Sequence, residues 1–163
     1  MTIRSATAAD LPAIRSIAHA AWPVAYASIL SPGQLAYMLE RMYSGSALLE
    51  QFTTLGHRFL VAERDGMAIG FAGYAHHHAP GRTRLHKLYL VPWVKGGGVG
   101  HALLEAVLKA AHDTGDRFVE LNVNKNNPAK DFYLRHGFMV ERDQVIDIGA
   151  GFVMDDHVMV KVL

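Results

Sequence analysis

Leu85-His86-Lys87-Leu88-Tyr89-Leu90-Val91-Pro92 runs through Trp93 and Val94 into Lys95-Gly96-Gly97-Gly98-Val99-Gly100. This stretch decides the fold. Its first half is apolar and β-forming and is stopped by proline, so it predicts a strand. From Val99 onward, Val99, Leu103, Val107 and Ala110 recur at helical spacing, which predicts a helix to His112. A strand, a glycine turn and a helix N-terminus in succession make an anion site. The first backbone N–H groups of the helix lack partners, and the helix dipole favours negative charge. Glycine lets the backbone approach the anion closely, and a pyrophosphate is the natural guest.

Two familiar phosphate loops fit poorly. A Walker loop needs Gly-Lys-Ser/Thr, which is absent, and His101 follows Gly100. The dinucleotide fingerprint belongs to an early βαβ unit with different glycine spacing.

Working outward, Phe118–Val123 predicts a strand, Pro128–Arg135 a helix, and Met139–Ile148 and Phe152–Val162 two more strands. Upstream, Arg58–Arg64 and Met67–Ala75 flank Asp65-Gly66, a pair suited to a tight hairpin turn. Thr2–Ser5 predicts a first strand. Leu11, Ile14, Ile17, Ala18 and Ala21 mark one face of a helix, and Ser31-Pro32 opens a second carrying Leu35, Met38, Leu39 and Met42. A short third helical piece spans Ala47–Thr54. The order β-α-α-β-β-β-α-β-α-β-β predicts an α/β domain spanning residues 1–163, with a mixed sheet and one parallel pair.

The chain has 163 residues, half of them apolar and 19% charged, with a net charge of +1. That composition predicts a soluble globular domain, expected in the cytoplasm. No basic run suggests nucleic acid, and no apolar run or signal pattern suggests a membrane. Without cysteine, disulfides, thiolate metal sites and a cysteine acyl-enzyme are excluded. His76-His77-His78 reads as a solvated loop rather than a metal site, because neighbouring side chains on a strand point to opposite faces. Asp155-Asp156 reads as a turn or an exposed strand position, with the capacity to attract a cationic amine.

A second motif lies downstream: Asn126-Asn127-Pro128-Ala129-Lys130-Asp131-Phe132-Tyr133, leading to Gly137-Phe138. With it, the sequence resembles the GNAT superfamily, the Gcn5-related N-acetyltransferases. The family's Asn-x-x-Ala-x-x-Phe-Tyr-x-x-x-Gly-Phe is matched throughout, and its Arg/Gln-x-x-Gly-x-Gly/Ala loop appears as Lys95-x-x-Gly98-x-Gly100. Lysine keeps the charge of the first position but loses the planar fork of arginine. A looser likeness joins the chain to the PaiA-type bacterial polyamine acetyltransferases.

The resemblance implies a GNAT-type sheet with a splayed parallel pair and acetyl-coenzyme A as cosubstrate, with no metal. It places the pantetheine arm against the backbone of the first splayed strand, at Leu88 and Leu90. The pyrophosphate falls on Lys95, Gly96, Gly97, Gly98, Val99 and Gly100, and Asn126 contacts the coenzyme or orients the next helix. Tyr133 takes the place of the general acid. For the base, His86 and Glu120 are the candidates, with bulk water as the alternative. Trp22 and Tyr26 fall on the acceptor wall. The implied reaction moves an acetyl group to a primary amine, a small amine or polyamine. Acetylation of a protein N-terminus or lysine, and a non-catalytic coenzyme A sensor, are the competing readings. The resemblance also admits a homodimer.

Overall fold

The computed structural model describes residues 1–94 and 96–163, with Lys95 outside the described residues. Its elements are β1 (Thr2–Ser5), α1 (Leu11–Ala25), α2 (Pro32–Tyr43), α3 (Gly45–Thr53), β2 (Arg58–Arg64), β3 (Met67–Ala79), β4 (Arg82–Leu90), α4 (Val99–Asp113), β5 (Phe118–Asn124), α5 (Ala129–Arg135), β6 (Met139–Gly149) and β7 (Phe152–Val162). The start signals act as expected. Ser31 accepts a hydrogen bond from Gln34 N at 3.1 Å to cap α2, with Pro32 in its first turn. Asp65 and Gly66 both take positive φ, 52° and 74°, and turn β2 into β3.

The seven strands form one sheet in the order β1-β2-β3-β4-β5-β7-β6. Every neighbouring pair is antiparallel except β4 and β5. That parallel pair is short, joining Arg82–Leu85 to Phe118–Leu121. Beyond Leu85 the two strands carry no shared register, and this is the splay that the resemblance implied. A bulge sits at the point of departure. Gly73 faces Lys87 while Tyr74 faces Leu85, so His86 is the extra residue on β4.

Alternation along β3 and β4 divides the core. Phe71 and Tyr89 are register partners on the face covered by α1, where Tyr89 and Trp22 have ring centroids 5.6 Å apart. Gly70 and Leu90 are partners on the face covered by α4. A Cβ on Gly70 would stand 2.5 Å from Leu90 Cδ2 and 3.3 Å from Leu103 Cδ1. No helix among the described residues is long and apolar enough to cross a membrane.

Two sequence expectations are corrected here. His76-His77-His78 is not a solvated loop but the end of β3, where three residues oppose Thr83 alone. His77 bends the strand with φ 52°, and the buried Asp116 accepts from its backbone N at 3.0 Å and stands 2.7 Å from its ring Nδ1. Asp156 is not in a turn but on β7, fully buried.

Gly70 leads to a stability prediction. Gly70→Val should overpack the contact between β4 and α4 and destabilise the fold by about 1–3 kcal/mol. At this chain length each kcal/mol lowers Tm by about 2–4 °C, readable by thermal unfolding.

Candidate active site

The site begins where β4 and β5 part. Val91 N donates to Ile69 O on β3. Peptide groups along a strand alternate between its two edges, so Leu88 and Leu90 present their N–H and C=O groups to the opposite edge, the one β5 has left. An extended chain laid in the gap would find those groups free. Farther along, Gly96, Gly97 and Gly98 take φ of 69°, 73° and 68°, three left-handed residues in a row leading into α4. Only glycine holds that geometry without strain. A Cβ at Gly96 or Gly98 would meet nothing within 4 Å, so the space before these groups is open. Successive backbone groups in such a turn, at a helix N-terminus, form an anion-binding concavity. Gly100 lies in the first turn of α4, where a Cβ would stand 3.6 Å from the ring of Phe132.

Of the expected loop residues, Lys95 lies outside the described residues. A cation that the sequence did not single out stands nearby: Arg64 Nη2, from the end of β2, lies 2.9 Å from where a Gly97 Cβ would be. A strand-end arginine gives no signal until the sheet brings it beside the loop.

The cleft between β4 and α5 is lined by Leu88, Tyr89, Asn127 and Tyr133, among others. Tyr133 is buried between the rings of Phe132 and Phe138, with centroids at 5.2 and 5.6 Å. Burial pushes its hydroxyl pKa well above the ordinary value, so it keeps its proton at neutral pH. Asn126 does not reach this cleft. It is exposed, and its backbone N donates to Asn124 Oδ1 at 2.9 Å. The neighbouring Asn127 does the orienting instead: its Oδ1 accepts from Ala129 N at 2.9 Å, and its Nδ2 lies 3.4 Å from Tyr26 Oη.

A larger pocket of about 250 Å³ adjoins this cleft. Trp22 and Tyr26 form one wall, as expected, and Tyr26 Oη lies 2.9 Å from Tyr89 Oη. Residues of α2, β6 and β7 close the other side. Tyr37 Oη donates to Ile148 O at 2.6 Å, Arg41 Nη1 donates to the same carbonyl, and Gln34 Nε2 donates to Val153 O at 2.8 Å. These bonds tie α2 to the β6–β7 hairpin.

The two candidate bases, His86 and Glu120, sit in different surroundings. His86 lines the pocket, but its ring stacks on His57 with centroids 4.1 Å apart, and its Nε2 is buried without a partner. Burial, followed by the neighbouring His57 and Arg84, lowers its pKa to about 2. A nitrogen that weakly basic does not deprotonate an ammonium group at neutral pH. Glu120 points elsewhere: its carboxylate is 3.3 Å from Arg82 and 4.0 Å from His78, outside both the cleft and the pocket. No group of three or more ligating side chains converges among the described residues.

Comparison with known proteins accords with this geometry. A family model described as "Acetyltransferase (GNAT) domain" matches residues 27–154. An uncharacterised N-acetyltransferase of Mycobacterium tuberculosis is 32% identical, with the match covering 94% of this chain and 98% of that one. An L-amino acid N-acyltransferase of Escherichia coli is 28% identical over 93% and 87% of the two chains. Among solved structures, the PaiA N-acetyltransferase of Thermoplasma acidophilum in complex with coenzyme A superposes with a TM-score of 0.82. It is 26% identical, covering 99% of this chain and 98% of that chain.

The stacked histidines lead to a pH prediction. Burial also lowers His57, to about 4. Both rings are neutral in the fold and protonated in the unfolded chain below about pH 6.5. The unfolded state therefore binds more protons in acid, and stability falls as pH drops from 6.5. His86 contributes up to about 1.4 kcal/mol per pH unit, while His57, half-exposed, contributes less because water screens its charge. Urea unfolding of His86→Asn across pH 4–6.5 should show that slope reduced by close to one proton. An unchanged slope would mean that His86 is charged in the native state.

Proposed function

The chain belongs to the GNAT acetyltransferase family, and from that premise we propose that it transfers an acetyl group directly to a primary amine of a small molecule held in the pocket beside the splay. It is an acetyl-coenzyme A-dependent N-acetyltransferase. The observation that carries the finer reading is the junction of three features. The free edge of β4 leads back from the three left-handed glycines to a point where the cleft holding Tyr133 meets the roofed pocket.

The residues present fit the coenzyme. The glycine turn would hold its pyrophosphate with Arg64 alongside, and Leu88 and Leu90 would pair with its extended arm. Acetyl-coenzyme A supplies the thioester: a C–N bond forms to the amine as the C–S bond breaks. Tyr133, holding its proton, donates it to the departing sulfur. The amine enters neutral, its nitrogen loses a proton to water in the pocket as the amide forms, and a proton from solvent restores the Tyr133 hydroxyl. Two catalytic roles are thereby separated, an acid on α5 and a neutralising path on the acceptor side. The ties from Gln34, Tyr37 and Arg41 to β6–β7 narrow the acceptor side, which favours a small molecule over a protein terminus or an internal lysine. The amine acceptor named for the Escherichia coli relative is also small. A sensor without catalysis would have no use for a buried tyrosine donor at this junction.

Tyr133→Phe deletes one oxygen and keeps the packed ring. The expected result is a fall in kcat of about 10²–10⁴-fold, with coenzyme binding retained. Binding is read as a rise in Tm on adding acetyl-coenzyme A. Near-normal kcat, with chemistry shown to limit the rate, would remove Tyr133 from the mechanism. In a companion experiment, Gly98→Val should abolish the Tm rise, because valine cannot hold a φ of 68° without strain and its side chain enters the phosphate space.

A further inference from the structure

The acceptor pocket carries an unusual charge arrangement. Asp156 is fully buried at its floor, and its Oδ1 has no hydrogen-bond partner among the described residues. Its Oδ2 accepts from Asn122 Nδ2 at 3.3 Å. The same Asn122 accepts, through Oδ1, from Arg84 Nη2 at 2.9 Å. The order is therefore guanidinium, amide, carboxylate: opposite charges held apart by one side chain rather than paired. Arg84 also lines the pocket, and its nearest carboxylate, Glu120, stands 4.0 Å away and is already bonded by Arg82. Arg41 and Lys87 bring further positive charge to the same lining, and Asp156 is its one acidic residue. The rest is largely apolar, including Leu30, Met38, Met42 and Met154.

Unpaired buried charge is costly, and a protein normally closes such a pair on itself. Among the described residues, neither Arg84 nor Asp156 hydrogen-bonds directly to a group of opposite charge. A polyamine carries several positive charges and would meet Asp156 at one point and Arg84, Arg41 and Lys87 elsewhere. A zwitterion matches both ends. We propose that the acceptor is a free α-amino acid with an apolar side chain, its amine on Asp156 and its carboxylate on Arg84. The assignment rests on the N-acetyltransferase reading and narrows it. Burial raises the pKa of Asp156, which makes it a better acceptor for a proton shared with the incoming nitrogen. The volume of about 250 Å³ lies below the roughly 300–1,000 Å³ of pockets for larger ligands, as one amino acid requires.

The test measures thiol release from acetyl-coenzyme A with four acceptors: L-leucine, L-leucinamide, isoamylamine and spermidine. Leucine should exceed leucinamide and isoamylamine by about 10²–10⁴-fold in kcat/KM, because an acceptor lacking the carboxylate leaves Arg84 without an anion on its pocket side. Arg84→Met should cut leucine turnover and shrink the ratio of leucine to isoamylamine toward one, while Arg84→Lys recovers part of it. Calorimetry should show leucine binding to the coenzyme A-loaded protein and no binding to Asp156→Asn. If spermidine or isoamylamine matches leucine in the unaltered protein, the amino-acid assignment is overturned while acetyl transfer to amines stands. If no amine is acetylated although acetyl-coenzyme A raises Tm, both readings fall together. The unaltered protein alone decides between these outcomes, so a poorly folding Arg84 variant does not blunt the test.

Discussion

Two parallel strands share hydrogen bonds only while they stay about 4.8 Å apart. In this fold β4 and β5 do so across Arg82–Leu85 and Phe118–Leu121 and then part. Every feature of the site depends on that separation. It frees the edge of β4 for a ligand backbone, opens the cleft in which Tyr133 stands, and lets the pocket beyond reach the same point. The extra residue at His86 is the local device. A bulge bends and twists the strand that carries it, and here it falls one residue past the last parallel pair. The sheet stays whole because β3 holds β4 from the other side and β7 holds β5 along its whole length.

Polar burial on the α1–α3 side follows one rule: charge is kept apart from opposite charge and handed to neutral groups. Lys87, buried, donates a hydrogen bond to Gln51 Oε1 at 2.6 Å, and Gln51 Nε2 donates to Met42 O at 2.9 Å. Its ammonium also lies 5.4 Å from the ring centroid of Tyr43. Gly73 makes room for the lysine stem, since a Cβ there would meet Phe59 at 2.9 Å and Lys87 Cδ at 3.4 Å. Burial lowers the lysine to about 8. Arg84, on the same strand, repeats the pattern with Asn122 on β5 and Asp156 on β7. Neutral amides fix the direction of each charge without cancelling it, and that keeps the fields of the pocket available to a ligand.

Much of this was legible in the sequence, and the residues show why. The glycine run and the Asn-to-Phe138 motif act locally: positive φ, a capped helix and a packed Phe-Tyr pair need little beyond their own segment. The hairpin at Asp65-Gly66 is of the same kind. What stayed hidden depends on register. Arg64 reaches the loop only because β2 ends where it does. Asp156 looked like half of an exposed acidic pair until β7 paired with β5 and turned it inward opposite Asn124. Histidine at position 86 is offered as a base by its residue type, but basicity belongs to the surroundings, and burial, with His57 stacked beside it, lowers it. Asn126 and Asn127 differ by one place in the chain and by a full change of role, which motif matching does not resolve.

The topology also has a kinetic meaning. β2, β3 and β4 form a meander, and β6 and β7 form a hairpin, so each group closes from contacts near in sequence. β5 must be inserted between them, and its partners on either side come from opposite ends of the chain's second half. Local pairings form quickly and remote ones slowly, because loop closure precedes their reward. The splay therefore lies on the seam between two quickly formed pieces, sealed by four parallel pairs on one flank. That order puts closure of the joint between β4 and β5 after the meander and the hairpin. A chain that loses hold there would keep most of its sheet while losing its catalyst.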